Sequence, residues 1–320
     1  MMALLVFKER LRVLYGRYAA YIDTAIRFLL SLTALLVLNE NIGFMAQLKG
    51  AVPVLVLSLV CAFLPYGVIA AIIGAVMLLH VSAVSLEIAG LLAAAMLLIL
   101  LLYYGFQPGD SWLLILTPLA FFLNIPYAIP LLAGLSCSLV SVIPACSGVC
   151  IYYILLHVKQ NAGTLVGSGE VDIAEKYGQI LKGVFSNEQM VVMVLAFAVA
   201  ILTVYIVKNL SIDYAWNVAV AAGVVVETVI SFVGGFVFNV SFSMVNFLVG
   251  MVLSVILAML YTFFIFTVDY TRTEYVQYED DDYYYYVKAV PKIAVSAPDI
   301  KVQKINTRKN GKKHSRQHED

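Results

Sequence analysis

The stretch Ser111–Leu156, SWLLILTPLAFFLNIPYAIPLLAGLSCSLVSVIPACSGVCIYYILL, runs for 46 positions without Asp, Glu, Lys or Arg. A helix crosses a bilayer core with about 20 apolar residues, so the stretch is roughly twice one crossing. Pro118, Pro126, Pro130 and Pro144 exclude a single straight helix, because each removes a backbone donor and crowds the preceding turn. The expected arrangement is three short apolar helices, about 111–124, 127–143 and 145–158. At membrane depth, broken helices persist only where other protein or a water-lined cavity satisfies the freed backbone groups. The stretch therefore belongs at the centre of a larger bundle.

The composition agrees. Hydrophobic residues make up 62% of the 320, charged residues 12%, and mean hydropathy is +0.93. A soluble domain carries about twice that charge, so the expected fold class is an all-α polytopic membrane protein. The four cysteines, Cys61, Cys137, Cys146 and Cys150, all lie in apolar runs and read as small buried hydrophobes. Their spacing fits neither a disulfide framework nor a zinc site. The first apolar run, Met1–Phe7, is too short for a cleavable signal and precedes the basic residues.

Working outward, residues 1–20 carry Lys8, Arg10, Arg12 and Arg17 among Leu and Val, the pattern of a basic amphipathic lead-in. A transmembrane domain over 21–268 follows. Its expected spans before the central stretch are about 21–38, a hairpin of 50–64 and 67–84 broken at Pro65-Tyr66-Gly67, and 88–105. After it come about 190–207, 214–236 and 244–268. The total is about ten helices, with eight to ten defensible. A polar connection, 159–189, begins with Gly163, Gly167 and Gly169 and reads there as loop. Ile173, Tyr177, Ile180, Leu181 and Val184 then recur at helical spacing, as in an interfacial or lid helix.

Four basic residues precede the first span, and ten of the twenty Lys and Arg follow Asp269. By the excess of basic residues in cytoplasmic segments, both termini are expected to be cytoplasmic, with a plasma membrane the default location. Two termini on one side require an even number of crossings. The tail differs in kind. Thr273–Tyr278, the acidic run Glu279–Asp282 and Tyr283–Val287 read as strand, turn and strand within a Tyr/Asp-rich segment, 269–302. Adjacent tyrosines on both faces of a strand point to a covering partner subunit, a docking cytoplasmic ATPase or self-association into a homo-oligomer. Residues 303–320 are basic and polar, the composition of a disordered, solvated tail, and specific nucleic-acid binding is not expected.

Leu64-Pro65-Tyr66-Gly67-Val68 and Ile125-Pro126-Tyr127-Ala128-Ile129 match in character at an offset of 61 residues. Each opens a new apolar segment, which gives two groups, 50–105 and 111–158. Each group has three segments, so the second would be inverted relative to the first, the architecture of many secondary transporters. Chance likeness of two leucine-rich stretches is the plainer alternative.

Among polar residues, Glu227 stands within VAVAAGVVVETVISFVGG, near mid-depth of its span. A charged carboxylate there costs a few kcal/mol and normally faces an interior or a cavity. It reads either as a proton or cation site or as a structural acid bonded to a neighbouring helix. Asn217, ten residues earlier, is placed close to the same face. Asn124, Ser136 and Ser141, with Ser138 and Ser147, either line a polar path or satisfy backbone groups freed by the prolines. Arg27 is expected to snorkel to the interface. No P-loop, GxSxG, HExxH, metal-ligand cluster or phosphate cradle is present. An enzyme and a cofactor are therefore not expected. The leading expectation is a transporter or permease subunit in the lipid bilayer, driven by an ion gradient or by a separate ATPase. The alternatives are a scaffold of envelope or secretion machinery that recruits partners through its tail, and an enzyme of lipid-linked substrates.

Overall fold

A computed structural model describes residues 2–106, 109–167, 183, 186–240, 243–266, 274–279 and 282–289. The expected lid helix over 173–184 and the tail from 290 onward lie outside them. The chain divides into two compact units, Tyr15–Thr267 and a second formed by Met1–Leu14 with Val268–Asp320.

In chain order the helices are α1 (Met2–Ile42), the single turn α2 (Ala46–Lys49), α3 (Ala51–Cys61), α4 (Tyr66–Ser82), α5 (Leu86–Phe106), α6 (Trp112–Phe122) and α7 (Ala128–Ser136). A 3-10 turn, Leu139–Ser141, leads into α8 (Val142–Gly167), α9 (Glu188–Lys208), α10 (Ala215–Val237) and α11 (Met244–Ile265). α1 leaves helical geometry once, at Tyr18 (φ −123°, ψ 22°), where the expected lead-in and first span meet. Tyr15 Oη bridges that break by donating to Asp23 Oδ1 at 3.0 Å.

Five apolar stretches are long enough to cross a membrane: Leu4–Ile42, Leu139–Asn161, Glu188–Lys208, Ala215–Val237 and Met244–Ile265. α3 and α6 have 11 residues each and α7 nine. At 1.5 Å per residue an 11-residue helix reaches roughly 16 Å, about half a bilayer core. By length and composition five of the described helices are long enough to cross, with shorter apolar helices beside them, and the expected count of about ten is not confirmed.

The prolines do less damage than expected. Pro53, Pro130 and Pro144 each occupy the first turn of a helix, where the missing N–H has no intrahelical partner to lose. The expected break at Pro144 falls instead at Cys137 and Ser138, both extended (φ −104°, ψ −177° and φ −85°, ψ 170°). The expected short piece 145–158 is thus part of a 26-residue helix that continues through Gly163 to Gly167, not a loop there. One interior glycine costs only about 1 kcal/mol relative to alanine.

The large unit is organised around α9, which packs on α7, α8 and α10. Its buried face is Val192, Met193, Ala196, Phe197, Ala200, Ile201 and Val204. Glycines let the neighbours close on it, since small residues permit backbone approach. A Cβ on Gly134 of α7 would lie 2.6 Å from Val204 Cβ, and one on Gly223 of α10 would strike Val204 Cγ2. Asn187 caps α9 by accepting from Met190 N at 3.0 Å. The outer faces of α10 and α11 are apolar and exposed, with Phe236 at 83%.

Successive helices run back and forth between two ends of this unit. At the first end Arg27, Tyr66, Tyr103 and Ser111 share one recess. Lys208 Nζ also donates there to Leu135 O (3.0 Å) and Cys137 O (3.2 Å), and Trp216 stacks on Phe266 with centroids 5.0 Å apart. At the second end Lys159 Nζ donates to Asn41 Oδ1 (2.8 Å), Met45 N donates to His80 Nδ1 (3.2 Å), and Asn124, Gln189 and Asn246 share another recess.

In the small unit, β1 (Glu274–Glu279) and β2 (Tyr284–Ala289) pair antiparallel, with Val276 opposite Val287 and Tyr278 opposite Tyr285. The hairpin read from the sequence is present.

Candidate functional site

Glu227 lies on α10 with 0% exposure, and neither carboxyl oxygen has a hydrogen-bond partner. One turn later Ser231 is also buried with its hydroxyl unpaired. A buried polar group without a partner costs about 1–3 kcal/mol, so this pair is not explained by stability. The Tyr127 ring lies within electrostatic reach of the Glu227 carboxyl.

Tyr127 also lines a recess of about 210 Å³ at the second end of the unit. Its polar wall is Asn124, Tyr127, Tyr152, Gln189, Ser243 and Asn246. Four elements build it: the α6–α7 turn, α8, and the starts of α9 and α11. The turn is shaped by Asn124, whose φ of 60° is tolerated by Asn more readily than by most residues. Gly250 of α11 admits that turn closely, because a Cβ there would sit 3.0 Å from Asn124 O and 3.2 Å from the Tyr127 ring. Aromatic rings stiffen the walls, with Phe121 stacked on Tyr152 (centroids 4.5 Å) and Tyr127 edge-on to Phe247 (5.0 Å).

Of the residues singled out in the sequence, Asn124 lines this recess, and Glu227 does not line it but is within electrostatic reach of Tyr127, which does. Asn217 is exposed and does not meet Glu227. Ten residues on a helix leave it about 80° away around the axis and roughly 15 Å along it. Ser136 Oγ donates to Leu132 O and Ser141 Oγ to Ser138 O, both at 2.6 Å. They serve backbone carbonyls where α7 ends. Sequence reading missed Gln189, Ser243 and Asn246, neutral residues at helix starts. Tyr127 was quoted only as part of a repeated Pro-Tyr pair.

The other Pro-Tyr pair also lines a recess. Pro65 and Tyr66 border a space of about 320 Å³ at the first end, with Arg27, Tyr103, Gly109 and Ser111. Arg27 is not released to solvent as expected. Its Nε is buried without a partner, Nη1 donates to Leu64 O at 3.4 Å, and the guanidinium lies 5.3 Å from the Tyr66 ring centroid. Among the described residues no group of His, Cys, Asp and Glu is arranged to hold a metal ion.

These features define a helical protein with two polar recesses at opposite ends of an apolar unit. No family model matches the chain, and no curated protein or solved structure matches it significantly.

Proposed function

We propose that the chain is a multi-pass membrane transporter or permease subunit, with Glu227 as the proton or cation site behind its solute recess. The observation that carries this reading is a fully buried, unpaired carboxyl within electrostatic reach of Tyr127, which lines a polar recess. Ionisable groups inside membrane helices mark ion or substrate paths by default. Movement of Tyr127 would open Glu227 to the recess, where it exchanges a proton or meets a cationic group.

Topology supports the same reading. In this reading α1 and α3–α11 would make ten passes, with α3, α6 and α7 as partial-depth pieces. An even number of passes accords with the excess of basic residues near both termini. Both termini would then lie on the cytoplasmic face, and the exposed apolar surfaces of α10 and α11 would meet lipid. The two Pro-Tyr pairs flank α6 at opposite ends, as an inverted pair of three-helix groups demands.

The test is solute flux in sealed proteoliposomes. Wild type is expected to dissipate an imposed pH gradient when a transported solute from a small-cation pool is added. Glu227→Gln, folded and reconstituted equally, is expected to abolish that coupling. Identical proton flux in both proteins would overturn the role of Glu227.

The scaffold reading keeps one supporting observation. Tyr275, Tyr278 and Tyr283–Tyr286 are exposed on both hairpin faces, and an isolated two-stranded hairpin is marginal in water. A partner subunit, an ATPase or a second copy would cover it. If neither protein supports flux, the hairpin becomes the place to look for a partner.

A further inference from the structure

Further along four of the helices that frame the first-end recess lies a second space of different character. This cleft has a volume of about 330 Å³ and is lined entirely by apolar residues of α1, α4, α5, α6 and α8. It begins at Ala34, two turns beyond Arg27, and at Ala70, one turn beyond Tyr66. On α5 it ends at Leu100, one turn short of Tyr103, and on α6 it starts at Leu114, one turn beyond Ser111. All four helices pass from the polar recess to the apolar cleft in step.

The cleft exists because small residues face it. Ala71, Gly74 and Ala75 of α4 and Ala93 of α5 would ordinarily let two helices close together. Here the alanines border open volume, while Gly74 admits the tip of Met96, which a Cβ there would strike. Along α4 the lining extends from Ala70 to Leu78, roughly 12 Å at 1.5 Å per residue. A volume above about 300 Å³ lies in the range of ligand pockets.

The recess above it is built for an anion. Arg27 presents a guanidinium with five donors, of which only Nη1 has a hydrogen bond, and that one is long. No carboxylate pairs with it among the described residues. The start of α4 points at the same space, and its N-cap, Pro65, supplies no side-chain cap. The first N–H groups of a helix favour negative charge. Ser111 places the start of α6 there as well. Two acids are close in sequence, Asp23 one turn before Arg27 and Asp110 beside Ser111, and neither lines the recess. Asp23 accepts from Tyr15, and Asp110 interacts with Cys137 while its Oδ2 is buried and unpaired.

We propose that these two spaces form one binding site for an anionic lipid, with the phosphate headgroup on Arg27 and the start of α4 and an acyl chain in the apolar cleft. The site shares no residue with the Glu227 recess and stands whether or not the chain transports a solute. An uncharged amphiphile leaves Arg27 without an anion. A free anion leaves the cleft empty. Only a molecule carrying both parts fills the whole volume.

The test uses the full chain reconstituted in phosphatidylcholine vesicles with trace chain-spin-labelled phosphatidylglycerol or phosphatidylcholine. The immobilised fraction of each label is read by electron spin resonance. Phosphatidylglycerol is expected to be immobilised several-fold more strongly. Arg27→Gln should bring the two lipids level, and Arg27→Lys should retain most of the preference. Ala71→Phe, which fills the cleft from an exposed position, should remove the immobilised component for both. As a check independent of any variant, phosphatidylglycerol should raise the Tm of detergent-solubilised wild type in a saturable manner, and inorganic phosphate should not. Equal immobilisation of both lipids by wild type would overturn the proposal. So would a phosphate-induced shift as large as that of the lipid.

Discussion

At the scale of single residues, Glu227 and Lys208 are opposites. Lys208 serves the fold: its ammonium satisfies two carbonyls that the end of α7 leaves open. Hydrogen bonds to a charged group contribute about 1.5–3 kcal/mol, and Lys208→Met should lose stability of that order in reversible unfolding. Glu227 serves nothing that the fold needs, since both its oxygens are unpaired. Removing an unsatisfied polar group relieves about 1–3 kcal/mol, so Glu227→Leu should leave stability equal or higher. A marked loss would show that the carboxyl is a structural bond after all. Glu227 was legible in the sequence because a lone acid in an apolar run is conspicuous. The wall in front of it was not. Asn124, Gln189 and Asn246 are neutral residues at helix ends, where the same types commonly cap or break helices.

At the scale of elements, α9 was the easiest to read and is the best supported. It starts with a side-chain cap from Asn187 and an acidic first turn, and ends on a basic residue, each favourable by helix polarity. Asn187→Ala should cost about 1 kcal/mol, measured as a lower Tm. The meeting of α7, α9 and α10 at Val204 gives a sharper test. Gly134→Ala should destabilise by about 1–3 kcal/mol through overpacking, because the added methyl meets the body of Val204 and not a flexible tip. Val204→Ala in the same chain removes Cγ1 but keeps the Cβ that the methyl meets, so it should recover little of that loss, whereas Gly16→Ala meets nothing within 4 Å and should be neutral or stabilising. The central stretch was read less well. Prolines look like breaks in sequence, yet Pro130 and Pro144 fall in first turns where they are harmless. The real break, at Cys137–Ser138, carries no proline and hence no signal.

At the scale of the whole molecule, hydropathy pointed to a membrane class, with which the five long apolar helices are compatible, but left the crossing number open. Short helices such as α6 and α7 differ from full spans only in where they stop, and that is set by neighbours such as Gly250 and Lys208. The two ends of α6 are the crux. Ser111 and Asn124 belong to different recesses, and 13 residues of helix span roughly 20 Å. In the proposed arrangement the two recesses open on opposite faces of the membrane. The most direct measurement is cysteine accessibility in a chain whose four native cysteines are replaced. Gly109→Cys and Asn124→Cys would be labelled with a membrane-impermeant maleimide in intact cells and in inverted vesicles. The account predicts that position 124 labels only from outside and position 109 only from the cytoplasmic side. Labelling of both positions from the same face would contradict it.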